Sequence, residues 1–287
     1  MRYYNIAGFN ISVGGADSEY FRDRLAEYET EPFEKADLKV KYSEEEKIEP
    51  PKGKLTAFED GYREYYRQDG GYGIFDIHKK DLYIASIEFD EKVTEARMRA
   101  VDVVKYGGAD NDVRSRNMLG ELFRYFMLEN SGIVMHASSL MYKGGGIMFS
   151  APSGTGKSTH TSLWQECFGD DVTMINDDCP ALKFGKNGVS ICGTPWSGKT
   201  EINHNISAPL KAVVMLSRSE KNNIRRLSPQ EALFLVLREV KRPVFEDKLE
   251  KTLNYVSELL TTVPVYLLGC NISHEAAQLV KDTVFGK

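Results

Sequence analysis

Cysteine is scarce in this sequence of 287 residues. The four cysteines, Cys167, Cys179, Cys192 and Cys270, form no Cys-x-x-Cys pair and have no histidine-rich neighbourhood. Zinc sites typically have such spacing, and three of the four cysteines lie beside apolar runs. The sequence therefore predicts buried, reduced thiols.

Long apolar runs and a surplus of basic charge are also missing. No stretch approaches the roughly 20 apolar residues that cross a bilayer, and the first residues do not resemble the apolar part of a signal peptide. The formal net charge of −5 gives no general attraction to nucleic acid or to an anionic membrane. We therefore expect a cytoplasmic protein that has neither nucleic acid nor membrane as a partner.

The length and the hydrophobic content allow one large or two modest domains, since 41% of the residues are hydrophobic. Residues 1–110 are predicted to form a β-rich N-terminal domain, a candidate for substrate recognition, because β-branched and aromatic runs alternate there with turns and charge. The predicted boundary is Gly107–Asp110. Residues 111–287 are predicted to form a second, α/β domain with a mixed sheet, which opens with an amphipathic helix over residues 114–129.

The sequence holds two candidate phosphate-binding loops. The literal pattern Gly-x-x-x-x-Gly-Lys-Ser/Thr occurs at residues 193–200, and residues 151–158 miss it only because Ala151 stands in the first position. A phosphate loop works because backbone N–H groups and a helix N-terminus surround the phosphates, while Lys and Ser/Thr supply charge and a Mg²⁺ ligand. The flanking segments therefore decide between the two candidates.

The flanking segments favour the imperfect loop. A short apolar strand, Ile147–Ser150, precedes it, and apolar residues between 163 and 168 follow at helical spacing. In the literal motif, Pro195 removes an N–H, Trp196 crowds the loop, and no amphipathic helix follows. We therefore predict that a nucleotide binds to the residues of the first loop, namely Ser153, Gly154, Thr155, Gly156, Lys157, Ser158 and Thr159.

A β-hairpin is predicted immediately upstream of this loop. Residues 133–142 form one strand, residues 147–150 form the other, and the glycines between them form a tight turn. If residue 142 faces residue 147, His136 lies opposite Ser153. The register therefore raises His136 from an ordinary core histidine to a candidate site residue.

Two adjacent aspartates follow the next predicted strand, Val172–Ile175. Carboxylates at the end of a core strand near a phosphate loop hold Mg²⁺ or its waters in phosphoryl-transfer enzymes. On an extended backbone the side chains of Asp177 and Asp178 point to opposite faces. One carboxylate is then available for metal and the other for substrate.

The rest of the sequence is predicted to contain both strands and helices. Further strands are predicted at residues 182–184, 189–192, 210–216 and 263–268. Further helices are predicted near residues 228–240, 246–260 and 273–283.

Together, Ser-Gly-Thr-Gly-Lys-Ser at 153–158, the upstream His136 and the pair Asp177-Asp178 resemble the catalytic domain of the HPr kinase/phosphorylase family. This P-loop kinase domain is related to ATP-dependent phosphoenolpyruvate carboxykinase. The resemblance covers residues from about 130 to 215. It implies a mixed-sheet P-loop kinase domain within residues 111–287 and the cofactors ATP and Mg²⁺.

The resemblance also implies roles for individual residues. Lys157 contacts the β- and γ-phosphates, Ser158 and Asp178 hold the cation, and Asp177 accepts a proton from a substrate hydroxyl. His136 lies at the metal or the transferring phosphoryl group. Lys199, in the literal motif, falls where related enzymes place a substrate-side loop, and a lysine there balances developing phosphoryl charge.

The expected function is an ATP- and Mg²⁺-dependent phosphotransferase. Its acceptor is a serine of a protein or peptide, or a small alcohol, and a homo-oligomer is compatible with this interpretation. Two alternatives stay open, which are carboxykinase-like transfer between a nucleotide and an enolate, and a non-catalytic nucleotide-binding regulatory module. No Asn-Lys-x-Asp motif supports a GTPase, and no Leu-Ser-Gly-Gly-Gln-like signature supports an ABC ATPase.

Overall fold

The computed structural model describes residues 1–15, 23–59, 62–79, 82–102, 111–198, 200–243 and 245–286. The chain folds into two compact units, residues 1–130 with 243–249 (unit 1) and residues 131–242 with 250–287 (unit 2). The predicted boundary at residues 107–110 lies outside the described residues. The domain ranges 1–110 and 111–287 therefore stay a prediction.

Unit 1 contains an eight-stranded sheet in the described part of the chain, with strand order β1-β2-β3-β8-β7-β6-β5-β4. The strands are β1 (Arg2–Ile6), β2 (Phe9–Gly14), β3 (Leu38–Glu45), β4 (Gly53–Glu59), β5 (Tyr62–Arg67), β6 (Tyr72–Lys79), β7 (Leu82–Phe89) and β8 (Glu95–Val101). The neighbours of β3 run parallel to it, and the other pairs are antiparallel. These eight strands lie within the region that the sequence predicts to be β-rich.

Helix α1 (Asn111–Glu129) carries the apolar face that the sequence predicts. Phe126 contacts the ring of Phe9 at 5.1 Å between centroids, edge to face. The face is buried along its whole length, at Met118, Leu119, Leu122, Phe123, Phe126 and Met127. Burial of this many large side chains is the dominant favourable term for the helix, since each stabilises the fold by roughly 1.5–3 kcal/mol.

An aromatic cluster within unit 1 surrounds Phe245, which is fully buried. Its ring lies 4.4 Å from that of Tyr72 and 5.1 Å from that of Tyr66. The hydroxyls of both tyrosines donate hydrogen bonds to the carboxylate of Asp247. These interactions attach residues 245–247 to the rest of unit 1.

Unit 2 holds most of the remaining elements. Its strands are β9 (Gly132–Val134), β10 (Ala137–Tyr142), β11 (Gly145–Ser150), β12 (Val172–Asp178), β13 (Ala181–Gly185), β14 (Gly188–Cys192), β15 (Ser207–Arg218), β16 (Asn223–Arg226) and β17 (Val265–Cys270). The later helices of the chain are α2 (Lys157–Phe168), α3 (Pro229–Glu239), α4 (Glu246–Thr262) and α5 (His274–Phe285). Among the described helices, none combines the length and the apolar character that a membrane span requires.

The sheet of unit 2 is mixed. Its order is β12-β10-β11-β15-β14-β13-β9, and β17 pairs with both β15 and β16. Strand β10 is antiparallel to β11 and to β12, whereas β11, β15 and β17 run parallel to one another. The predicted mixed α/β class is confirmed.

The hairpin of β10 and β11 is tighter than predicted. Its turn consists of Lys143 and Gly144, both with positive φ (47° and 80°), and Gly145 already pairs with Tyr142. Two-residue turns with positive φ match the twist of paired strands. The predicted pairing of residue 142 with residue 147 is therefore wrong by two residues.

The predicted continuous strand over residues 133–142 is also wrong, because it breaks between Val134 and Ala137. Strand β9 pairs with β13, whereas β10 pairs with β11 and β12. Between them Met135 forms an isolated bridge with Val240. Because of this break, residues 132–134 pair with β13 at one end of the sheet, and residues 137–142 pair with β12 at the other end.

Helix α2 packs closely on the sheet of unit 2. Trp164 is fully buried, and its ring lies 5.9 Å from that of Phe149 on β11. His160 lies 4.7 Å from the same Phe149 ring and is 3% exposed. Burial lowers the pKa of His160 to about 4, so the imidazole is neutral in the folded protein.

We expect His160 to make stability depend on pH. Between the unfolded pKa of about 6.5 and the folded pKa of about 4, the unfolded chain binds more protons, so the free energy of unfolding falls as pH decreases from 6.5 to 4. Replacing His160 by Phe removes this dependence. Urea unfolding of both proteins at several pH values measures it, and parallel pH curves would contradict the buried neutral imidazole.

Candidate active site

The carboxyl ends of β11, β12, β15 and β17 meet at one edge of the sheet, because β11 and β12 flank β10 in the same direction. Ligands of open α/β sheets bind at such edges. The segment after β11 is the predicted phosphate loop, and β12 ends in Asp177 and Asp178. The fold therefore brings the two motifs to the same edge.

The segment from residue 151 to 158 has the predicted order of strand, glycine turn and helix. Gly154 and Gly156 have φ values of 76° and 117°, and a Cβ built at either position meets nothing within 4 Å. Both glycines are therefore required by backbone conformation rather than by crowding. Open space lies over the backbone of the loop.

The N-terminus of α2 offers its backbone N–H groups to this space. Its N-cap is Gly156, with no side-chain capping hydrogen bond, and no acidic residue stands in the first turn. Unsatisfied N–H groups and the positive end of the helix dipole favour an anion there. The predicted ligands Ser153, Ser158 and Thr159 are exposed, and Thr155 is half-buried.

Lys157 begins the helix and turns back over the loop. Its Nζ donates a hydrogen bond to the backbone oxygen of Ala151 at 3.0 Å. Burial lowers the pKa of Lys157, and the carboxylates of Glu239, Asp178 and Asp177 oppose this effect. Three acidic groups thus act on one half-buried ammonium at the phosphate loop.

Asp177 and Asp178 lie within β12 rather than after it. Asp177 pairs with Ser138 and Asp178 with Ala137, so the two side chains lie on opposite faces of the sheet, as predicted. The hydroxyl of Ser138 is hydrogen-bonded to Thr161 of α2 at 3.0 Å. Asp177 therefore lies on the α2 side of the sheet.

The environments of the two aspartates differ. Asp177 is buried, and its Oδ2 accepts a hydrogen bond from the hydroxyl of Thr200 at 2.5 Å. Asp178 is more exposed, and its carboxylate faces His136 Nε2 at 3.4 Å and the thiol of Cys179 at 3.2 Å. One carboxylate thus contacts a hydroxyl, and the other contacts an imidazole.

His136 lies between two acidic side chains. Its Nδ1 is 3.1 Å from Glu239 Oε2, and its Nε2 is 3.4 Å from Asp178 Oδ1. The observed register pairs Ala137 with Ser150, so His136 does not lie opposite Ser153 as predicted. Instead its backbone oxygen accepts a hydrogen bond from the hydroxyl of Ser150, the last residue before the loop, at 2.8 Å.

Glu239 is a site residue that the sequence analysis missed. It ends α3, it is 4% exposed, and its backbone oxygen accepts a hydrogen bond from His136 N–H at 2.7 Å. A residue 103 positions from its partner leaves no local sequence signal. The amphipathic pattern of α3 predicts that Glu239 is a charged residue on the buried face of the helix. It does not indicate that the partner is His136.

The literal motif packs against the end of β12 instead of forming a phosphate loop. Residues 193–198 and 200–206 contain no helix, and Ser197 forms a bridge with Asp178. The amide of the buried Asn176 donates to the backbone oxygens of Thr194 (2.8 Å) and Trp196 (3.2 Å). Lys199, the third predicted catalytic residue, lies outside the described residues.

A family model for the SynChlorMet cassette protein ScmC matches residues 109–282, which is more than half of the chain. The chain belongs to the ScmC family. The match includes the phosphate loop, both aspartates, His136 and Glu239. No curated protein sequence matches this ScmC family member.

A solved structure is distantly similar to this chain. The HPr(Ser) kinase/phosphatase from Coxiella burnetii matches with 13% sequence identity and a TM-score of 0.32. The match covers 53% of this chain and 88% of that chain. A TM-score this low does not establish a common fold.

The predicted magnesium site consists of Ser158 and Asp178. In the described residues of this ScmC family member, no group of three or more His, Cys, Asp or Glu side chains is arranged to hold a metal ion. Mg²⁺ in phosphoryl-transfer sites needs few protein ligands, since it keeps several waters and binds phosphate oxygens. A hydroxyl and a carboxylate are suitable donors for this cation, and their role stays a prediction.

Gly193 is needed where the literal motif passes the chain at His204. A Cβ at Gly193 would lie 1.8 Å from the backbone oxygen of His204, whereas at Gly185 the nearest atom is 3.9 Å away. We expect Gly193→Ala to lower the free energy of unfolding by about 1–3 kcal/mol or more, because the backbone must move. The control Gly185→Ala should change it far less, and chemical denaturation of both variants tests this. Equal stability of the two variants would contradict the close approach.

Proposed function

We propose that this protein is an ATP- and Mg²⁺-dependent phosphotransferase, which moves the γ-phosphoryl group to a hydroxyl of a protein, a peptide or a small alcohol. One observation carries the proposal. The uncapped N-terminus of α2 and two carboxylates with different environments lie at the same edge of the sheet. Anion binding and proton acceptance are the two tasks that phosphoryl transfer to an alcohol requires.

The phosphate loop performs the first task. Backbone N–H groups of residues 154–158 bind the phosphate oxygens, and Lys157 exchanges the carbonyl of Ala151 for the β- and γ-phosphates. The lowered pKa of Lys157 reflects partial burial, and the nearby carboxylates keep its protonated form favourable. Ser158 and Asp178 hold Mg²⁺, which neutralises phosphoryl charge when it is bound.

Asp177 performs the second task. Its carboxylate is buried and already accepts a hydrogen bond from a hydroxyl, that of Thr200. A substrate hydroxyl in the same position would donate its proton to the same oxygen. The chemistry of this contact supports Asp177 as the base.

His136 and Glu239 position the second aspartate. The imidazole is held from the Nδ1 side by the buried Glu239 and faces Asp178 with Nε2. The partner on one ring nitrogen determines what the other nitrogen can do. Glu239 therefore orients the ring, and His136 orients the metal-binding carboxylate of Asp178.

The central test is an assay with γ-labelled ATP and host-cell extract. Transfer of label to protein, peptide or a small-molecule fraction, dependent on Mg²⁺, is the expected result. It also identifies the class of acceptor. Binding of ATP without any transfer would contradict the phosphotransferase and favour a regulatory nucleotide-binding module.

Lys157→Ala should abolish ATP-dependent activity, because it removes the cation of the phosphate loop. Lys199→Ala should leave ATP affinity within a few-fold, since the literal motif does not bind the phosphates. Isothermal titration calorimetry with ATP and Mg²⁺ compares the two variants. Loss of binding in Lys199→Ala together with retention in Lys157→Ala would reverse the assignment of the two loops.

Substitutions of the two aspartates should affect different quantities, the reaction rate for Asp177 and the nucleotide affinity for Asp178. Asp177→Asn should bind ATP almost normally and lose about 10²- to 10⁴-fold in rate, because a positioned base is missing. Asp178→Asn should weaken nucleotide affinity, with partial recovery at high Mg²⁺, because the cation loses an anionic ligand. Calorimetry at several Mg²⁺ concentrations beside initial rates distinguishes them. Equal loss of binding in both variants would contradict this division.

A further inference from the structure

The end of the literal motif holds one hydroxyl of this chain against the proposed base. Thr200 Oγ1 donates a hydrogen bond to Asp177 Oδ2 at 2.5 Å, which is the length of a charge-assisted O–H···O contact. Thr200 is exposed, whereas only 6% of the surface of Asp177 is exposed. Thr200 is therefore accessible to a second reactant while its hydroxyl is bound to the buried carboxylate.

Backbone hydrogen bonds hold this segment to Asp177 on both sides of Thr200. The N–H of Asp177 donates to the backbone oxygen of Ile202 at 3.0 Å, and its backbone oxygen accepts from the N–H of Gly198 at 3.1 Å. The N–H of Glu201 donates to the backbone oxygen of Gly198 at 3.1 Å. The position of the Thr200 hydroxyl therefore does not depend on its side-chain contact alone.

Gly198 is needed for this close approach to β12. A Cβ at residue 198 would lie 3.0 Å from the backbone oxygen of Asp177 and 3.3 Å from the Cβ of Asp178. Both contacts are tight, so a side chain at residue 198 would displace the segment and Thr200 with it. The glycine thus allows the segment to pack directly on the aspartate pair.

Other hydroxyls near this edge of the sheet have carbonyl partners. The hydroxyl of Thr194 donates to the backbone oxygen of Cys179 at 2.7 Å. The hydroxyl of Ser162 donates to a backbone oxygen within α2 at 2.9 Å. A carboxylate can take up the proton of a hydroxyl, whereas a backbone carbonyl only accepts a hydrogen bond. The partner of Thr200 is thus of the kind that activates a hydroxyl.

The candidate phosphate loop lies beside the same carboxylate. Burial lowers the pKa of Lys157, and Asp177 is among the three carboxylates that oppose this effect. Asp177 pairs with Ser138, whose hydroxyl is 3.0 Å from that of Thr161 in the helix that follows the loop. A nucleotide bound at the N-terminus of α2 would bring its phosphates to the carboxylate that already holds Thr200.

We propose that Thr200 is a self-phosphorylation site, which receives the γ-phosphoryl group of the ATP bound by the same chain. The proposal rests on the proposed function, because it uses the same nucleotide, loop and base. Thr200 Oγ1 attacks the γ-phosphorus and a new P–O bond forms. The bond from this phosphorus to the oxygen that bridges the β- and γ-phosphates breaks, and its electron pair leaves with ADP. The hydroxyl proton passes to Asp177 Oδ2.

Transfer within one chain is favoured because the acceptor is already positioned. Well-oriented intramolecular reactions reach effective molarities on the order of 10⁵–10⁸ M. The product carries about −1.5 to −2 charge at residue 200, and its oxygen no longer has a proton to donate to Asp177. We therefore expect the reaction to stop after one phosphoryl group per chain.

The test uses the purified full-length protein with γ-labelled ATP and Mg²⁺, and without cell extract. Label should appear on the protein itself, and tandem mass spectrometry should locate it at Thr200. This assignment in the wild-type protein does not depend on any variant. The first-order rate constant should stay the same across a wide range of protein concentrations, because donor and acceptor belong to one chain.

Four variants test the role of the hydroxyl and of its partner. Thr200→Val keeps the shape without the hydroxyl and should lose the label, whereas Thr200→Ser should carry phosphoserine at residue 200. Asp177→Asn should slow self-labelling by about 10²- to 10⁴-fold, because the proton acceptor is missing. Ser162→Ala is the matched control, since it removes an exposed hydroxyl of α2 that donates to a backbone oxygen, and it should be labelled as the wild type is.

Contrary outcomes separate this proposal from the proposed function. Label that persists in Thr200→Val, or a rate constant that rises with protein concentration, would overturn self-phosphorylation of Thr200 within one chain. Transfer of label to an acceptor in cell extract, with none on Thr200, would overturn this proposal and leave the proposed function intact. Absence of transfer to any acceptor would overturn both.

Discussion

The two-residue turn of Lys143 and Gly144 determines where the candidate site residues lie. It fixes the pairing of β10 with β11, and β10 pairs in turn with β12, where the register shifts between Ser139 and Leu140. A shift of one residue in such a ladder would turn every side chain to the opposite face. With the observed register, Asp177 lies on the α2 side of the sheet and Asp178 faces His136 on the other.

The candidate phosphate loop, residues 151–158, combines features that cost stability by themselves. The first N–H groups of α2 lack a side-chain cap, and Gly154 and Gly156 adopt backbone conformations that most residues avoid. The half-buried ammonium of Lys157 is stabilised by a carbonyl and by three acidic groups rather than by one ion pair. Such a group changes partners at small cost, because no single contact holds it.

The residues of the literal phosphate-loop motif make packing contacts in this fold. Gly193 allows the chain at His204 to pass at close range, and Asn176 ties Thr194 and Trp196 to the end of β12. These interactions hold the segment beside Asp177 and Asp178. The motif thus supports the geometry of the aspartates, and the uncapped helix N-terminus that we propose as the anion site belongs to the other loop.

The sequence by itself determined the elements whose signals are local. The glycine turn between an apolar strand and a helix, the apolar face of α1 and the opposite orientations of Asp177 and Asp178 all follow from spacing along the chain. Only the tertiary structure decided the contacts between distant segments. Glu239 reaches His136 because α3 ends beside the break between β9 and β10. The length of the β10–β11 turn could not be predicted from the sequence either, since three consecutive glycines permit several turns. Periodicity records which face of an element is buried, and it carries no information about which remote residue that face will meet.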